Sequence, residues 1–440
     1  MTIAALEALT FGLGRLAEAA GGAGHRLCLL TGDRAVYRHE LAHLSPEALA
    51  ALDIVDVDTF DESACAAALA AVPDLRGLVN STDTWSVPGA DLAAKLGLPG
   101  PDPTAVRLLR DKSRVRALLH EHGLSRGRAL TVSTDPADPA DPTDPADAAD
   151  PADAADAADA ARASTAAEIL REIGLPAVLK DSAGTSSRNV WLVRDEQQLH
   201  TALAEAAQRA FAGRLFAEPF LSGPVYSAET LSWEGETRLL GALSRQMSPE
   251  PSVREEAAAF PVAFPNPELG LLQDWVGHVL VTAGHDTGFA HVEFVLTAEG
   301  PELVEINRRI GGALVGEALC RALGTNVYEA MVYTALGRRP ALLDSPVHAS
   351  SGPATGFVLV YPDRRGTLTG WTGLDTLSAF PGSPEWYPTA VLGRRVEHLD
   401  DQRSCTGIVL AEAATAELAL HRALSAAGSV RAVVADDGEE

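Results

Sequence analysis

Lysine is nearly absent from this chain. Only Lys95, Lys112 and Lys180 are lysines among its 35 lysine and arginine residues, so arginine serves almost every general need for positive charge. A lysine in such a composition is a candidate for a position where arginine cannot serve and a compact ammonium is needed. An ammonium on a flexible stem reaches a phosphate as a point charge, whereas a guanidinium needs a fork geometry and more room.

Cysteine is scarce, and long apolar runs are lacking. The four cysteines show no paired spacing, which argues against structural zinc and predicts a reducing, cytoplasmic location. No segment has the length and apolarity of a membrane span, so we expect no membrane partner. Apolar residues at helical spacing between Met1 and Ala20 predict a surface helix that stops at Gly21, not a signal peptide.

Positive charge is also in deficit. The formal net charge of −25 weighs against nucleic-acid binding, because a phosphate backbone needs a basic surface. Part of this charge lies in a repeat, from Asp135 to Asp159, in which an aspartate recurs every third residue. We therefore predict that residues 134–163 form a disordered Asp/Pro/Ala tether, partly helical toward its alanine-rich end. A helix is predicted to start near Ser164. A calcium-binding or partner-binding tail is the less favoured interpretation.

Strand and helix patterns divide the rest of the chain. Residues 1–105 alternate the two and predict a small βα domain. A lid subdomain is expected over about 127–217, within a core of 106–330, and residues 331–440 complete the sheet of the body. The fold class is thus mixed α/β and α+β.

Two glutamates face each other in a predicted hairpin. If the turn centres near Glu299, antiparallel pairing places Glu293 opposite Glu305 and His291 opposite Asn307. Opposed like charges are destabilising, and a divalent cation with carboxylate and amide ligands would reverse that effect. We therefore predict a magnesium site; a solvated hairpin face is the alternative.

A second candidate feature surrounds Lys180. This lysine ends an apolar strand and is followed by a loop of small, donor-rich residues from Asp181 to Val190. A strand, a lysine and a small flexible loop suit a flap that closes on the phosphates of a nucleotide. An ordinary hairpin with a polar tip is the alternative.

These segments together resemble the ATP-grasp superfamily, and within it the carboxylate-amine ligases of the L-amino-acid (dipeptide) ligase type. The resemblance rests on four motifs in family order. They are Arg110–Ser113, Pro176–Val190, Glu218–Pro224, and Glu293 with Glu305–Gly312. It implies an ATP-grasp fold with an N-terminal Rossmann-like domain, a mobile lid and a C-terminal body with a mixed or antiparallel sheet.

The resemblance also implies a function and its residues. The protein would form an amide bond from a small-molecule acid and an amine through an acyl phosphate, releasing ADP and phosphate, and a homodimer stays open. Glu293, Glu305 and Asn307 would bind Mg²⁺, with Mn²⁺ as an alternative, and Arg309 would contact the transferred phosphate. Gly311 and Gly312 would let backbone amides approach the intermediate. The residues expected at ATP are Lys112, Lys180, Gly184, Ser186, Ser187, Glu218, Pro219, Phe220 and Leu221.

Some points depart from the family pattern or stay open. Val225 stands where the family has an acidic residue for the ribose, and Asn189 replaces a flap glycine, although Asn tolerates a left-handed backbone. Glu256, beside Glu255 in a segment that resembles the substrate loop, is a candidate to hold or deprotonate the amine; a solvated helix start is the alternative. A biotin carboxylase-like subunit and a nucleotide-binding regulatory protein are the alternative functions.

Overall fold

The computed structural model describes residues 1–132, 151–250, 252–344, 352–399 and 402–436, and in the helix that begins at Pro151 it describes side chains from residue 161 onward. Four β-sheets organise these residues. One is a parallel sheet at the N-terminus, one is a small antiparallel sheet with two helices, one has eight strands, and a small fourth sheet lies near the C-terminus.

The N-terminal part is a parallel sheet of order β3-β2-β1-β4 with helices around it. Its strands are β1 (Thr2–Leu6), β2 (Arg26–Thr31), β3 (Leu52–Asp56) and β4 (Leu75–Val79). Its helices are α1 (Leu13–Gly22), α2 (Arg38–His43), α3 (Pro46–Ala51), α4 (Glu62–Ala70) and α5 (Ser86–Lys95). The helices α6 (Pro103–Leu109) and α7 (Lys112–Glu121) lead to the next part.

The helix predicted for the first twenty residues is wrong in its first half. Ile3 and Leu6 lie fully buried in β1, the strand between β2 and β4, and the helix begins only at Leu13. A parallel strand that is buried on both faces is a continuous apolar run, here Ile3 to Leu6, and such a short run has no periodicity that separates it from a helix.

The lid is an antiparallel sheet of order β5-β8-β6-β7, covered by two helices. Its elements are β5 (Leu130–Thr131), α8 (Pro151–Glu172), β6 (Ala177–Asp181), β7 (Val190–Val193), α9 (Glu196–Ala206) and β8 (Leu215–Pro219). Ile169 of α8 and Leu199 of α9 bury their side chains against this sheet. Helix α8 begins well before Ser164, so the alanine-rich end of the repeat is helical. The tether expected over 134–150 lies outside the described residues.

The body is an antiparallel sheet of eight strands, in the order β13-β12-β9-β10-β11-β14-β18-β16. Its first elements are β9 (Val225–Trp233), β10 (Glu236–Met247), β11 (Glu255–Phe260), α10 (Asn266–Thr282), β12 (Gly288–Thr297), β13 (Gly300–Asn307), α11 (Val315–Leu323) and α12 (Tyr328–Ala335). The remainder are β14 (Ala354–Val360), β15 (Gly366–Thr372), β16 (Glu385–Pro388), β17 (Arg395–Val396), β18 (Gly407–Ala413), α13 (Ala416–Ala427) and β19 (Arg431–Ala435). Strands β14, β16 and β18 join the large sheet. Strands β17, β15 and β19 form the small sheet.

Candidate active site

The hairpin of β12 and β13 pairs as the sequence predicts. Glu293 lies opposite Glu305, and His291 lies opposite Asn307. The turn itself is tighter than expected, because Thr297 pairs with Gly300. A register shift at Val304 makes up the difference, since an extra residue in one strand re-aims the side chains that follow it.

Two basic side chains lie against the opposed carboxylates. Lys112 Nζ is 3.0 Å from Glu305 Oε2, and Arg245 forms an ion pair with Glu293. Burial alone would raise the pKa of Glu293, but Arg245 and His291 hold it far below its usual range. The protein's own cations can therefore offset the repulsion that suggested a metal, so the case for a metal rests on the type and placement of the ligands.

The metal-ligand candidates form an oxygen donor set. Asn307 Nδ2 donates to Glu305 Oε1 over 2.7 Å, which leaves the Asn307 carbonyl oxygen for another partner. Two carboxylates and one amide oxygen are the hard ligands that Mg²⁺ takes in proteins. The described residues contain no cluster of three or more His, Cys, Asp or Glu side chains that could hold a metal ion.

His291 links this hairpin to the neighbouring strand β9. Its Nδ1 lies 2.6 Å from Glu229 Oε1 on β9, and its Nε2 lies 3.2 Å from Glu293 Oε1. Although burial would lower it, the two carboxylates raise the pKa of His291 to about 9. A Cβ on Gly311 would come within 2.7 Å of His291 Nδ1. Gly311 is therefore needed for this packing, and Gly312, which lines the cavity beyond, is the glycine placed to approach a ligand.

Lys180 is held in a buried ion-pair network. Its Nζ lies 2.5 Å from Glu218 Oε1, and Arg116 binds the other Glu218 oxygen through Nε at 3.0 Å and Nη2 at 2.9 Å. Burial lowers the pKa of Lys180, and Glu218 opposes that effect. Burial would raise the pKa of Glu218, but Arg116 and Lys180 hold it below its usual range. The Glu218 side chain thus positions the lysine, while Pro219 and Leu221 line the neighbouring cavity.

The flap joins β6 to β7 as predicted. Lys180 pairs with Val190, and Ser186, Ser187 and Asn189 all have positive φ. Asn189, at 54°, adopts the left-handed conformation expected of it. Two contacts hold the flap, one to helix α7 and one to the body. Lys112 Nζ donates to Gly184 O over 2.6 Å, and Ser187 Oγ donates to Val253 O over 2.8 Å.

Helix α7 presents Lys112 to this site from its first turn. Asp111 caps the helix by accepting from the backbone N–H groups of Ser113 and Arg114. Lys112 is the next residue, so the cap fixes where its side chain starts.

A cavity of about 380 Å³ lies under the flap, between the lid and the body. We call it the nucleotide cavity. The predicted nucleotide residues all line it, from Lys112 and the flap serines to Leu221. Its walls also carry several apolar side chains, namely Val178, Val190, Leu192, Val225, Met247, Val295 and Val304. Val225 faces this cavity without a polar group, and Glu250 is an acidic residue that also lines it.

A second cavity, of about 470 Å³, adjoins the first. We call it the substrate cavity. The two share Thr185, Ser186, Arg245, Glu293, Glu305 and Gln402. Its other walls come from the loops after β1 and β4 and from β14 and β18. Neighbouring loops at the carboxyl ends of parallel strands are the usual binding crevice of such a sheet, and here that crevice opens onto the glutamate pair.

Arg309 lies in the substrate cavity and binds the N-terminal part. Its Nε donates to Asp83 Oδ2 over 2.7 Å, and its Nη2 pairs with the same oxygen. Burial would lower the pKa of Arg309, but Asp83 raises it. Burial would raise the pKa of Asp83, but Arg309 lowers it. The arginine is thus charged and held by a residue from another domain.

Glu256 does not lie with the other predicted site residues. It pairs with Arg254 over 2.8 Å, and Glu255 is the residue that lines the substrate cavity. The Glu255 carboxylate accepts hydrogen bonds from Arg245 Nε over 3.2 Å and from Arg245 Nη2 over 3.1 Å. Arg245, which bridges Glu255 and Glu293, was missed by sequence reasoning because one arginine among many on a strand carries no distinguishing pattern. Its position on β10, two strands from Glu293, becomes visible only in the sheet order.

Family models match two parts of the chain. A model described as the ATP-grasp domain matches residues 173–317, and one described as L-amino acid ligase C-terminal domain 2 matches residues 358–435. The lid strands, the flap and the glutamate hairpin all fall in the first match.

Curated relatives and solved structures agree with these matches. The chain is 25% identical over 316 residues to the uncharacterized protein y4rH of Sinorhizobium fredii, covering 70% of this chain and 58% of that protein. It is 27% identical over 321 residues to human carnosine synthase 1, covering 69% of this chain and 36% of that protein. The chain therefore spans less than two thirds of the length of either relative.

The fold has a close structural counterpart. The L-amino acid ligase from Bacillus licheniformis superimposes with a TM-score of 0.75 over 99% of both chains, at 18% identity. No helix in the described ranges is long and apolar enough to cross a membrane. The order of the motifs, the sheet topology and both family matches agree: residues 173–317 match the ATP-grasp domain, and the chain is similar to the L-amino acid ligases.

Proposed function

We propose that the protein is an ATP-dependent carboxylate-amine ligase. It forms an amide bond between small amino-acid-like substrates through an acyl phosphate and releases ADP and phosphate. One observation carries this proposal. The nucleotide cavity and the substrate cavity share Glu293, Glu305 and Arg245 in their walls. Lys112 lies 3.0 Å from Glu305, and Arg309 lines the substrate cavity. A phosphoryl group at this junction could pass from one cavity to the other.

The nucleotide cavity supports ATP as the phosphoryl donor. Its apolar walls suit adenine, while Lys112, Lys180 and the flap supply positive charge and donors for the phosphates. The ion pairs of Lys112 with Glu305 and of Lys180 with Glu218 hold both ammonium groups in place. Among the acidic side chains that line this cavity, we assign Glu250, which pairs with Arg194, to the ribose hydroxyls in place of Val225.

Magnesium fits the hairpin. Glu293, Glu305 and the carbonyl oxygen of Asn307 would hold the ion, which when bound neutralises charge on the phosphoryl oxygens. A bound ion would compete with Lys112 and Arg245 for these carboxylates. Lys112 and Arg245 would exchange their carboxylate partners for phosphate oxygens, so the charge of the site stays balanced in both arrangements.

The chain's residues can perform each step of the reaction. A substrate carboxylate in the substrate cavity attacks the terminal phosphorus of ATP, the bond to the bridging oxygen of ADP breaks, and an acyl phosphate forms. Arg309 and Arg245 stabilise the negative charge on the transferring group. The flap, tied to the body through Ser187, excludes water from an intermediate that hydrolyses readily. The amine then attacks the acyl carbon, loses a proton, and phosphate leaves.

The substrate cavity suits zwitterions. Arg309, Arg394 and Glu255 provide both signs of charge, and Leu243, Leu359 and Ile408 provide apolar surface. Glu255 is therefore better placed than Glu256 to hold the amine substrate. The names of the relatives, an L-amino acid ligase and a carnosine synthase, support amino-acid substrates.

The alternative functions are less favoured. Biotin carboxylases share this fold, with a TM-score of 0.66 for the enzyme from Campylobacter jejuni. The match of residues 358–435 to an L-amino acid ligase domain favours the ligase. A purely regulatory nucleotide binder would not need the metal-ligand set, both lysines and Arg309 around a second cavity.

A substrate screen tests the proposal. Phosphate release is measured with ATP, magnesium and each pair drawn from amino acids and other small acids and amines. The masses of the products are determined by mass spectrometry. We expect at least one pair to give phosphate together with a product whose mass is that of the two substrates less one water. Phosphate release that instead requires bicarbonate and rises with free biotin would contradict the proposal.

A further inference from the structure

A third cavity, of about 360 Å³, lies between the N-terminal part and the body. We call it the interdomain cavity. Strand β4 and helix α5 form one wall, helix α12 forms another, and the start of β12 closes it. Its size falls within the range of small-molecule sites. Arg309 touches its edge, but neither lysine nor either hairpin glutamate lines it, so it is separate from the site described above.

Arg308 is the charged group inside this cavity. Its Nε donates to His285 Nδ1 over 3.0 Å, and its Nη2 donates to Thr287 O over 2.8 Å. Within the described ranges, Arg308 forms no ion pair with a carboxylate. Both acceptors are uncharged, since burial and the neighbouring guanidinium lower the pKa of His285 to about 3. Arg308 is thus oriented by its neighbours but not neutralised by them.

Arg308 is partly buried, and Asp286, which also lines the cavity, is exposed and makes no ion pair with it within the described residues. A partly buried cation without a paired charge is costly, so a ligand that brings a carboxylate to it would gain affinity. The proposed ligase mechanism does not use Arg308, which lines neither the nucleotide cavity nor the substrate cavity.

The rest of the interdomain cavity has a matching pattern. Two exposed carboxylates, Glu234 and Asp286, lie among its lining residues. Trp233, Phe289 and Met331 give it apolar walls. A cation inside, carboxylates at exposed positions and apolar surface between them are complementary to a small zwitterion. An inorganic or sugar phosphate would meet repulsion from the two carboxylates.

We propose that the interdomain cavity binds a free apolar α-amino acid, with its carboxylate on Arg308 and its ammonium toward Glu234 and Asp286. This site is distinct from the one that would bind reacting substrates. Arg308 lies between Asn307 and Arg309 in the chain, so a ligand here contacts the segment that carries two predicted residues of the reaction.

Calorimetric titration of the full-length protein with L-leucine, without ATP or magnesium, tests the site. We expect Arg308→Met to weaken one binding event about tenfold or more, because a charge-assisted pair is lost. Arg308→Lys should retain much of it. Arg339→Met is the matched control, since Arg339 is exposed and pairs with Glu236 outside the cavity, and it should bind as wild type does. Binding in the substrate cavity persists in all three variants and so does not confuse the result.

A second variant tests the site at an exposed position, so its result does not depend on whether Arg308→Met folds. Glu234→Gln, at an exposed position, should weaken L-leucine severalfold and leave N-acetyl-L-leucine, which lacks the ammonium, unchanged. Glu236→Gln should change neither. The proposal is overturned if Arg308→Met binds L-leucine as wild type does, if Glu234→Gln affects both probes equally or neither, or if wild type binds no L-leucine, L-methionine or L-phenylalanine at millimolar concentration. Because no turnover is measured, these outcomes are independent of whether the protein is a ligase.

Discussion

Arg309 and Asp83 are 226 residues apart in the chain and joined by a buried ion pair between the body and the N-terminal part. Asp83 follows β4, and Arg309 follows the hairpin that carries the glutamates. Arg309 therefore reaches the substrate cavity with its orientation set by another domain. The two parts must be docked for this arginine to be in place.

The first prediction concerns this pair. Asp83→Asn should lower kcat about tenfold and change the KM for ATP little, because Arg309 would be less well held where it contacts the transferring phosphoryl group. Asp83→Glu should recover part of the activity. Asp91→Asn is the control, since Asp91 also pairs with an arginine but at the surface, and its effect should be below about twofold. A wild-type kcat in Asp83→Asn would show that the pair serves only to dock the domains.

The second prediction concerns the glutamate hairpin. Glu305→Gln should reduce turnover by about a hundredfold or more, because it removes a charge that the metal must balance. Circular dichroism should show the fold intact. Glu299→Gln, at the exposed turn of the same hairpin, should leave turnover unchanged. Activity of Glu305→Gln within about tenfold of wild type at saturating magnesium would rule out the metal assignment.

The third prediction follows from His285. Its folded-state pKa of about 3 lies below its unfolded value of about 6.5, so the unfolded chain binds the extra proton between these limits. The contribution of this group to stability is present above pH 6.5 and falls by about 1.4 kcal/mol per pH unit below it. In urea unfolding between pH 7 and pH 5, His285→Gln should therefore lose less stability than wild type. His122→Gln, at an exposed position, should follow the wild type. Identical pH dependence of His285→Gln and wild type would contradict the burial of a neutral His285.

The aspartate repeat gives the fourth prediction. Deleting residues 135–150, which precede α8, should shift the melting temperature by no more than about 2 °C and keep turnover within about twofold, because loop closure depends only logarithmically on length. Ile169→Ala, in the buried face of α8, should instead destabilise the lid by about 2–4 kcal/mol. A large loss of turnover on deletion would indicate that the repeat acts in catalysis or binds a partner.

The sequence was sufficient for features that depend on local pattern. Alternation along two adjacent strands placed Glu293 opposite Glu305, although the tighter turn and the shift at Val304 were not foreseen, and their effects cancel at the glutamates. The strand before the flap was equally local. These patterns, in family order, also sufficed for the ATP-grasp fold.

Features that depend on distant pairing were not predictable. Asp83 and Arg245 reach the site through domain docking and strand order, which no local pattern encodes. The choice between Glu255 and Glu256 failed for a different reason. The residues that follow, Ala257 and Ala258, are small and both buried, so alternation along β11 does not show which glutamate faces the cavity.

The most direct test of the central claim is to identify the nucleotide product and trap the activated acid. In the presence of an acid substrate, ATP, magnesium and hydroxylamine, we expect ADP, phosphate and the hydroxamate of that acid. Lys180→Ala should lose ADP and hydroxamate together, because phosphoryl transfer precedes capture, while Lys95→Ala, which lies outside the three cavities, should lose neither. Formation of AMP and pyrophosphate would contradict the account, since the lysines, the glutamate pair and Arg309 are arranged for attack at the terminal phosphate.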